Sequence, residues 1–317
     1  MGLQVQRIEN LLEYLSVMEK ALDSADLTNE KREEMIENLR LEVVDVLKMA
    51  FKEGDHTIRR SAIYGLSKVG VTESFDFFIS ALSDRDEHVR GWAAEALGKI
   101  KDSRSIYPLI RALGDENPYV CFNVTAAMKQ FPSDQIIGAL VKALQDINHQ
   151  IRRRASKLLG ELNAQQVIPA LINALNDLDA GVRYEAAEAL RKLKNPEAIP
   201  ALIAALNDSN YDVRSVAITA LGFFGDTRAV EPLTLMLIEQ KDHRLSCIEA
   251  LRNICGFRNM EPLFELIRNC KKMIADTSNH VLESIYLREI HPLTDINDPA
   301  HTGATYPAEK IAQVVLE

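Results

Sequence analysis

The side chains best suited to grip another molecule are a single tryptophan and a short run of cations. Trp92 is the only tryptophan of the 317-residue chain, and Arg152, Arg153, Arg154 and Lys157 follow one another closely. Aromatic and arginine side chains supply much of the binding energy at protein interfaces, and guanidinium groups bind carboxylates through paired hydrogen bonds. These residue types indicate recognition of a partner rather than covalent chemistry.

Residues that could perform catalysis or hold a metal form no recognisable pattern. His56, His88 and His149 fall in predicted turns, where a histidine is most often a surface residue. The sequence has no glycine-rich phosphate loop and no nucleophile elbow. Its four cysteines show neither a CxxC pair nor zinc spacing, and they are Cys121, Cys247, Cys255 and Cys270. We expect no catalytic residue, no metal and no cofactor.

The elements that position the binding side chains are set by a repeat of 31 residues. An aliphatic residue returns at this interval, at Ile58, Val89, Val120, Ile151, Val182 and Val213. Alanine follows four positions later in five of the six copies, and leucine or methionine follows eight positions later. These offsets place the apolar residues on one face of a helix, which must be buried. A fixed period of this length predicts a helical solenoid.

A second apolar run precedes each of these helices and ends in an Ala-Leu pair, at Ala81-Leu82, Ala112-Leu113, Ala143-Leu144, Ala174-Leu175 and Ala205-Leu206. An aspartate closes each run, and an Asp or Asn that can cap the next helix follows it. Each repeat is therefore predicted to be a hairpin of two helices, near 41–69, 74–100, 105–131, 135–162, 165–193, 196–224 and 227–254. In the last pair His243 replaces the aliphatic residue, which is typical of a half-exposed terminal repeat.

We predict an all-α fold, a right-handed α-solenoid of about seven to eight short hairpins with N-terminal capping helices. Residues 41–270 are expected to form the repeats. Residues 1–40 are expected to form acidic capping helices with a polar outer face, because residues 1–54 hold 7 basic and 12 acidic side chains. The alternative is an acidic docking helix for a partner. Residues 271–317 are predicted to be a helix and a tail, and the role of the part after Ile290 stays open.

Arginine follows the aliphatic column in every repeat but one, as Arg59, Arg90, Arg152, Arg183, Arg214 and Arg244, with Cys121 as the exception. The arginines keep a constant offset from the aspartates that close the first helices, as in Asp84 with Arg90. We therefore predict an ion-pair ladder that links adjacent turns. The alternative, a track that binds phosphates, fits poorly with a net charge of −9 and a pI near 5.4. No nucleic acid is expected as a partner.

Functional residues are expected where the repeats differ, at the positions two, three and six after the aliphatic column. The candidates for partner binding are Tyr64, Trp92, Glu95, Phe122, Asn123, Arg153, Arg154, Lys157, Tyr184, Glu185 and Glu188. Two simpler interpretations stay open. The aromatic side chains could pack against a neighbouring helix, and the charged ones could form an ordinary solvated surface.

Two stretches carry a family resemblance, Asp86–Gly98 with the sequence DEHVRGWAAEALG and Asp179–Leu190 with the sequence DAGVRYEAAEAL. They resemble the short HEAT repeats of the phycobilisome-lyase type, and the resemblance covers about residues 41–270. It implies that the helix with the Val-Arg pair lines the inner, concave side of the solenoid. The candidate residues would then face one concave groove.

The function predicted from these features is a non-enzymatic scaffold that holds a protein or peptide partner in its concave groove. A second solenoid subunit and a phycobiliprotein are candidate partners. The resemblance also implies an alternative, a bilin lyase or bilin-handling chaperone with a phycobilin as transient ligand on a light-harvesting protein. Its acid or base would come from Glu95, Glu185 or Glu188, its propionate ligands would be Arg153 and Arg154, and Cys121 would be a transient thiol.

The sequence shows no signal for a membrane or for export. It has no apolar core of a signal peptide near its start and no run of 18 apolar residues. We expect a cytoplasmic protein without membrane insertion.

Overall fold

The computed structural model describes residues 2–25, 28–69, 74–239 and 241–255. Within these ranges the regular structure is helical, without a strand. The helices are α1 Gly2–Asp23, α2 Asn29–Glu53, α3 His56–Val69, α4 Phe75–Ala81, α5 Glu87–Ile100, α6 Ile106–Ala112, α7 Pro118–Met128, α8 Ser133–Ala143, α9 His149–Glu161, α10 Ile168–Ala174, α11 Ala180–Leu193, α12 Ile199–Ala205, α13 Tyr211–Phe224, α14 Val230–Glu239 and α15 Arg244–Cys255. None of them is long and apolar enough to span a bilayer.

The chain divides into two compact units within α9, between Leu158 and Leu159. In the first unit α1 packs on α2 and α3, α3 on α5, and α5 on α7. In the second unit α11 packs on α13 and α13 on α15, and each of these helices also packs on the shorter helix that precedes it. The all-α solenoid prediction is confirmed, and the described residues contain seven consecutive helix pairs from α2–α3 to α14–α15. The predicted repeat residues 256–270 and the predicted helix and tail of residues 271–317 lie outside the described residues.

The aliphatic column forms the core of each unit. Val89, Val120, Val182 and Val213 are fully buried, as are the residues four positions after them. This burial explains why the column stays aliphatic at every 31-residue step. A polar residue there would lose its hydration without gaining a hydrogen-bond partner. One expectation is corrected: His243, at the end of a short 3₁₀ turn before α15, is buried rather than half-exposed. Its ring stacks on Tyr211 with a centroid distance of 4.3 Å, which fills the space of the missing aliphatic side chain.

The turn between the helices of each pair is held by two polar residues in series. In the α4–α5 turn, the Asp84 carboxylate accepts the Asp86 N–H at 2.8 Å, and the Asp86 carboxylate caps α5 by accepting the N–H groups of His88 and Val89. Asn117, Asp179 and Asn210 cap α7, α11 and α13 in the same way. Such a cap typically stabilises a helix by about 1 kcal/mol. The predicted capping role of these positions is confirmed.

The arginine column links adjacent repeats. Arg90 makes two hydrogen bonds to the Asp115 carboxylate, at 2.6 Å and 3.0 Å, and donates to the main-chain oxygen of Asp84 at 2.8 Å. Arg183 holds Asp208 in the same geometry, at 2.6 Å and 2.7 Å. The predicted ladder exists, with a correction. For Arg90 and Arg183 the carboxylate partner belongs to the following repeat, whereas the aspartate six residues earlier contributes only its carbonyl. Arg214 instead donates to the His243 ring at 3.2 Å.

Burial and hydrogen bonding in the ladder shift the pKa values of its carboxylates in opposite directions. Burial alone would raise the pKa of Asp115, but hydrogen bonds from Arg90 and from the Asn117 N–H outweigh it and hold that pKa below its usual value. The pKa of Asp208 is lowered by the same balance, with Arg183 and the Asn210 N–H as donors. The ionised forms therefore stabilise the fold.

Consecutive second helices approach to backbone contact at three places. A Cβ atom added to Gly98 would lie 2.6 Å from the Cα of Ala127, and a Cβ atom added to Gly160 would lie 2.6 Å from the Cα of Ala189. At Gly222 the corresponding distance to the Ala250 Cα is 2.7 Å. These glycines recur in every second repeat, and each needs a hydrogen atom in place of a side chain because the facing helix occupies the space.

The two N-terminal helices form as predicted, and Thr28 caps α2 by accepting the Lys31 N–H. Helix α2 runs without a break through residues 40 and 41, and its second half supplies the buried residues Val43, Val44 and Leu47. The surface of these helices is less polar than expected of a cap. Large apolar side chains lie exposed on both of them, at Tyr14, Val17, Met35, Val46 and Met49.

Substitution of Gly98 tests the close helix contact. We expect Gly98→Ala to lower the free energy of unfolding by about 1–3 kcal/mol, because α5 and α7 must separate to admit the methyl group. Gly138→Ala on α8 is the matched control, since a Cβ there meets nothing within 4 Å. It should be neutral or stabilising by up to about 1 kcal/mol, from helix propensity alone. Urea unfolding measures both, and equal stability of the two variants would contradict the contact.

Acid should weaken the ladder. The pKa values of Asp86, Asp115 and Asp208 are lower in the folded chain than their usual value of 3.8, so the unfolded chain takes up protons first as the pH falls. The free energy of unfolding should therefore hold steady near neutral pH and decrease as the pH falls below about 4. Asp208→Asn should cost about 2 kcal/mol at pH 7 and make this decrease shallower. Glu116→Gln, at an exposed turn, should change neither quantity.

Candidate functional site

The candidate binding residues of the first unit lie on the second helices of the hairpins, as the repeat predicted. Tyr64 is on α3, Trp92 and Glu95 are on α5, Phe122 and Asn123 are on α7, and Arg153, Arg154 and Lys157 are on α9. We call the exposed side chains of α3, α5, α7 and α9 the second-helix face. Their exposure follows from the core, because the stripe that faces the neighbouring helices is already filled by aliphatic residues.

Four rings on three successive helices touch one another and form an aromatic patch, consisting of Tyr64, His88, Trp92 and Tyr119. The Trp92 ring lies 5.4 Å from that of Tyr64 and 5.7 Å from that of His88, and His88 lies 5.2 Å from Tyr119. These centroid distances are typical of favourable aromatic pairs. The patch is therefore a continuous, preformed surface rather than a set of separate side chains.

The patch is exposed enough to bind a partner. Tyr64 is 43% exposed and Tyr119 is 37% exposed, while Trp92 is half-buried between them. Phe122, three residues after Tyr119 on α7, is 72% exposed. A phenylalanine this open gains little from folding, since burial is what makes an aromatic side chain stabilising. Packing alone accounts for Trp92 but not for Phe122.

Sequence reasoning missed two members of the patch. His88 was expected to be an ordinary surface residue in a turn, and Tyr119 was not singled out. A signal for both exists, because His88 and Tyr119 are 31 residues apart and so occupy the same position in consecutive repeats. His88 also precedes Trp92 by four residues, which places the two rings on one face of α5.

Local contacts engage several charged side chains around the patch. Lys68 lies 5.0 Å above the Tyr64 ring, in a cation–π contact. Glu95 accepts from Lys99 at 2.7 Å, and Arg60 binds Asp86 at 2.7 Å. Asn123 donates to the Tyr119 carbonyl at 2.8 Å. The rings of the patch are thus bordered by charges that already have partners.

Arg154 has a different role from the one expected. Its guanidinium group donates to the main-chain oxygens of Leu113 and, at 3.0 Å, of Asp115. These carbonyls end α6, in the repeat where Cys121 replaces the ladder arginine. In the other repeats the ladder arginine itself binds the carbonyl that Asp115 offers here, as Arg90 does at Asp84. Arg154 thus substitutes for the missing arginine, whereas Arg153 and Lys157 point to the surface.

The candidates in the second unit are less accessible. Tyr184 on α11 is partly exposed, and Glu185 is buried. Glu188 binds Arg191 through two hydrogen bonds of 2.6 Å and 2.8 Å, and these bonds lower the pKa of the Glu188 carboxyl. Glu188 is therefore engaged within α11, and Glu185 is shielded from solvent.

The groups that a catalytic mechanism would need are engaged or buried. The Cys121 thiol donates to the Asp115 carbonyl at 3.0 Å, and burial raises its pKa, so its reactive thiolate form is disfavoured. Burial also raises the pKa of Cys247, to about 12. Within the described ranges, no three side chains of His, Cys, Asp or Glu converge as metal ligands. The chemistry that the second-helix face offers is non-covalent contact.

Comparison with known proteins identifies the repeats. A family model described as HEAT repeats matches residues 43–129, 108–190, 137–214, 168–252 and 200–275. Together these matches extend from α2 past the last described helix. No curated protein matches the sequence.

Solved structures with the same fold include two large proteins. A mutant of Kap121p is 13% identical with a TM-score of 0.57, and the match covers 88% of this chain and 34% of Kap121p. Kap95p, in a structure with RanGDP, is 13% identical with a TM-score of 0.51, and the match covers 90% of this chain and 42% of Kap95p. The chain thus spans less than half of either protein. At this identity the likeness is one of fold.

A smaller protein of the expected type is also similar. The complex of CpcE and CpcF of phycocyanin lyase from Nostoc sp. PCC7120 matches with 22% identity and a TM-score of 0.42, over 47% of this chain and 99% of the matched chain. This likeness covers only about half of the chain.

Replacement of Arg154 tests its structural role. We expect Arg154→Met to lower the free energy of unfolding by about 2 kcal/mol, because two carbonyls lose a charged donor. Lys157→Met, one turn later on the exposed side of α9, should change it by less than about 0.5 kcal/mol. Addition of Cys121→Arg to Arg154→Met should recover part of the loss by restoring the ladder. Urea unfolding decides, and a harmless Arg154→Met would return this residue to the list of binding candidates.

Proposed function

Because the chain belongs to the HEAT-repeat family, we propose that it is a non-enzymatic scaffold that holds a protein or peptide segment on its second-helix face. The observation that carries this proposal is the aromatic patch together with Phe122. Rings that touch across three helices and stay exposed form a rigid apolar surface, which costs little conformational entropy when a partner binds. Kap95p, a protein of the same fold, gives a precedent for a protein partner, because its binding changes the switch loops of RanGDP.

The charges along the second-helix face suggest the chemistry of the segment. Around the patch Glu95 pairs with Lys99 and Arg60 pairs with Asp86, so a neutral apolar or aromatic side chain fits there best. Lys157 is exposed on α9, farther along the series of second helices. A carboxylate that follows the apolar anchor could pair with it. We therefore expect an aromatic or aliphatic anchor followed by acidic residues.

The bilin alternative has less support from the contacts. Cys121 is buried and hydrogen-bonded, Arg154 is held by two carbonyls, and Glu188 is paired with Arg191. An enzyme keeps its nucleophile and its acid within reach of the substrate. Binding of a phycobilin without chemistry stays a prediction that absorbance spectroscopy can test.

Selection from a random peptide library on the purified full-length protein tests the scaffold proposal. We expect enriched peptides with an apolar anchor and nearby acidic residues. Phe122→Ala should weaken the selected peptides at least about tenfold, which corresponds to about 1.4 kcal/mol. Its thermal stability should not change, because the Phe122 side chain is largely exposed. Tyr107→Ala on α6 is the matched control, since Tyr107 is also an exposed aromatic residue but belongs to a first helix.

Two outcomes would contradict the proposal. Peptides that bind Phe122→Ala and Tyr107→Ala equally well would show that the second-helix face is not the binding surface. A shift in the visible spectrum of an open-chain tetrapyrrole upon mixing, abolished by Arg153→Met, would favour the bilin alternative instead.

A further inference from the structure

The outward side of α1 and α2 carries a second open surface, separate from the aromatic patch. A cavity of about 210 Å³ lies between these helices, next to the start of α3. Its lining includes Arg7 and Leu11 from α1 and Val46, Ala50 and Glu53 from α2. We call this cavity and its continuation along the two helices the outer groove.

Exposed apolar side chains lie along both helices of the outer groove. On α1, Tyr14 follows Arg7 and Leu11 at helical spacing, and it is 51% exposed. On α2, Met49 lies between the lining residues Val46 and Glu53, and Val46 and Met49 are 50% and 61% exposed. Side chains three, four and seven residues apart lie on one side of a helix. An apolar stripe of this kind, left open on two adjacent helices, typically marks an interaction surface.

The outer groove lies in an acidic part of the chain. Residues 1–54 contain 7 basic and 12 acidic side chains. One basic side chain, Arg40, is paired with Glu19 at 2.8 Å. On α2, Glu42 precedes Val46 by four residues and Asp45 precedes it directly, and both are exposed. Acidic side chains on α2 therefore flank the apolar stripe, and Arg7 of α1 is the basic side chain in the lining of the cavity.

We propose that the outer groove binds a basic amphipathic helix of another protein. Such a helix would place its apolar residues against Leu11, Val46 and Met49 and its lysines or arginines beside Glu42, Asp45 and Glu53. Two parallel walls of helix suit a helical ligand, which presents anchors at matching intervals. This surface goes beyond the proposed function, because it shares no residue with the second-helix face candidates.

Charge argues against the two occupants that the chain itself could supply. Residues 256–317 hold six basic and nine acidic side chains, so this segment is negative. A second copy of the chain has a net charge of −9 and would bring like charge to an acidic surface. Opposite charge on a separate partner both attracts it and excludes these competitors.

Two synthetic peptides test the proposal on the full-length chain. One is an 18-residue amphipathic helix of leucine and lysine, and the other replaces each lysine by glutamate. Fluorescence anisotropy should detect binding of the lysine peptide, weakened by salt, and at least tenfold weaker binding of the glutamate peptide. Val46→Gln should weaken the lysine peptide about tenfold, whereas Leu235→Gln, an exposed aliphatic control on α14, should not. Glu53→Gln should weaken it more than Glu116→Gln.

Several results would overturn the proposal. Equal affinity for the two peptides would remove the charge argument, and equal effects of Val46→Gln and Leu235→Gln would place binding elsewhere. Failure of the full-length chain to bind the lysine peptide would also reject it, including the case in which residues 256–317 fill the groove. A dimer in sedimentation experiments that Val46→Gln dissociates would show that a second copy is the occupant.

Discussion

Backbone contact between consecutive second helices is the constraint on which the rest of each unit depends. At Gly98 and Ala127 the two helices leave no space for a methyl group. Helices this close can bury only small or aliphatic side chains between them, so alanine and valine fill the repeat column. Larger side chains must lie outside this contact. The aromatic patch is a direct result, because rings on helices so close together reach one another across the surface.

The turns add a polar constraint that fixes the register of one repeat on the next. Arg90 and Arg183 each bind a carbonyl of their own turn and a carboxylate of the following repeat, so each fixes the separation of two repeats as well as forming a charge pair. The exception at Cys121 shows how strict this requirement is. There the carbonyls are satisfied by Arg154, from the next second helix. A buried carbonyl without a hydrogen-bond donor destabilises the fold, and here Arg154 supplies the donor that Cys121 lacks.

The fold could be predicted from the sequence because the same apolar and capping positions recur in every repeat. The hairpins, the caps and the buried column depend on residues within one repeat, and they were found where the period placed them. The patch and the role of Arg154 depend on contacts between repeats. His88 meets Trp92 within α5 but Tyr119 on α7, and Arg154 meets a turn about forty residues earlier in the sequence. Such contacts require the offset between helices, which the period alone does not give.

The distribution of charge supports the proposal of a scaffold over that of a catalyst. Catalysis needs an ionisable group that is held in place but not already neutralised by a partner. On the second-helix face Glu95 pairs with Lys99, and in the second unit Glu188 pairs with Arg191. The arginines and aspartates of the ladder bind one another, and their role is structural. Exposed apolar side chains lie at two places, the aromatic patch and the outer groove, and acidic residues flank the second. Because these two surfaces differ in charge and lie on different helices, they suit different ligands, and a scaffold that binds two ligands can bring them together without any chemistry of its own.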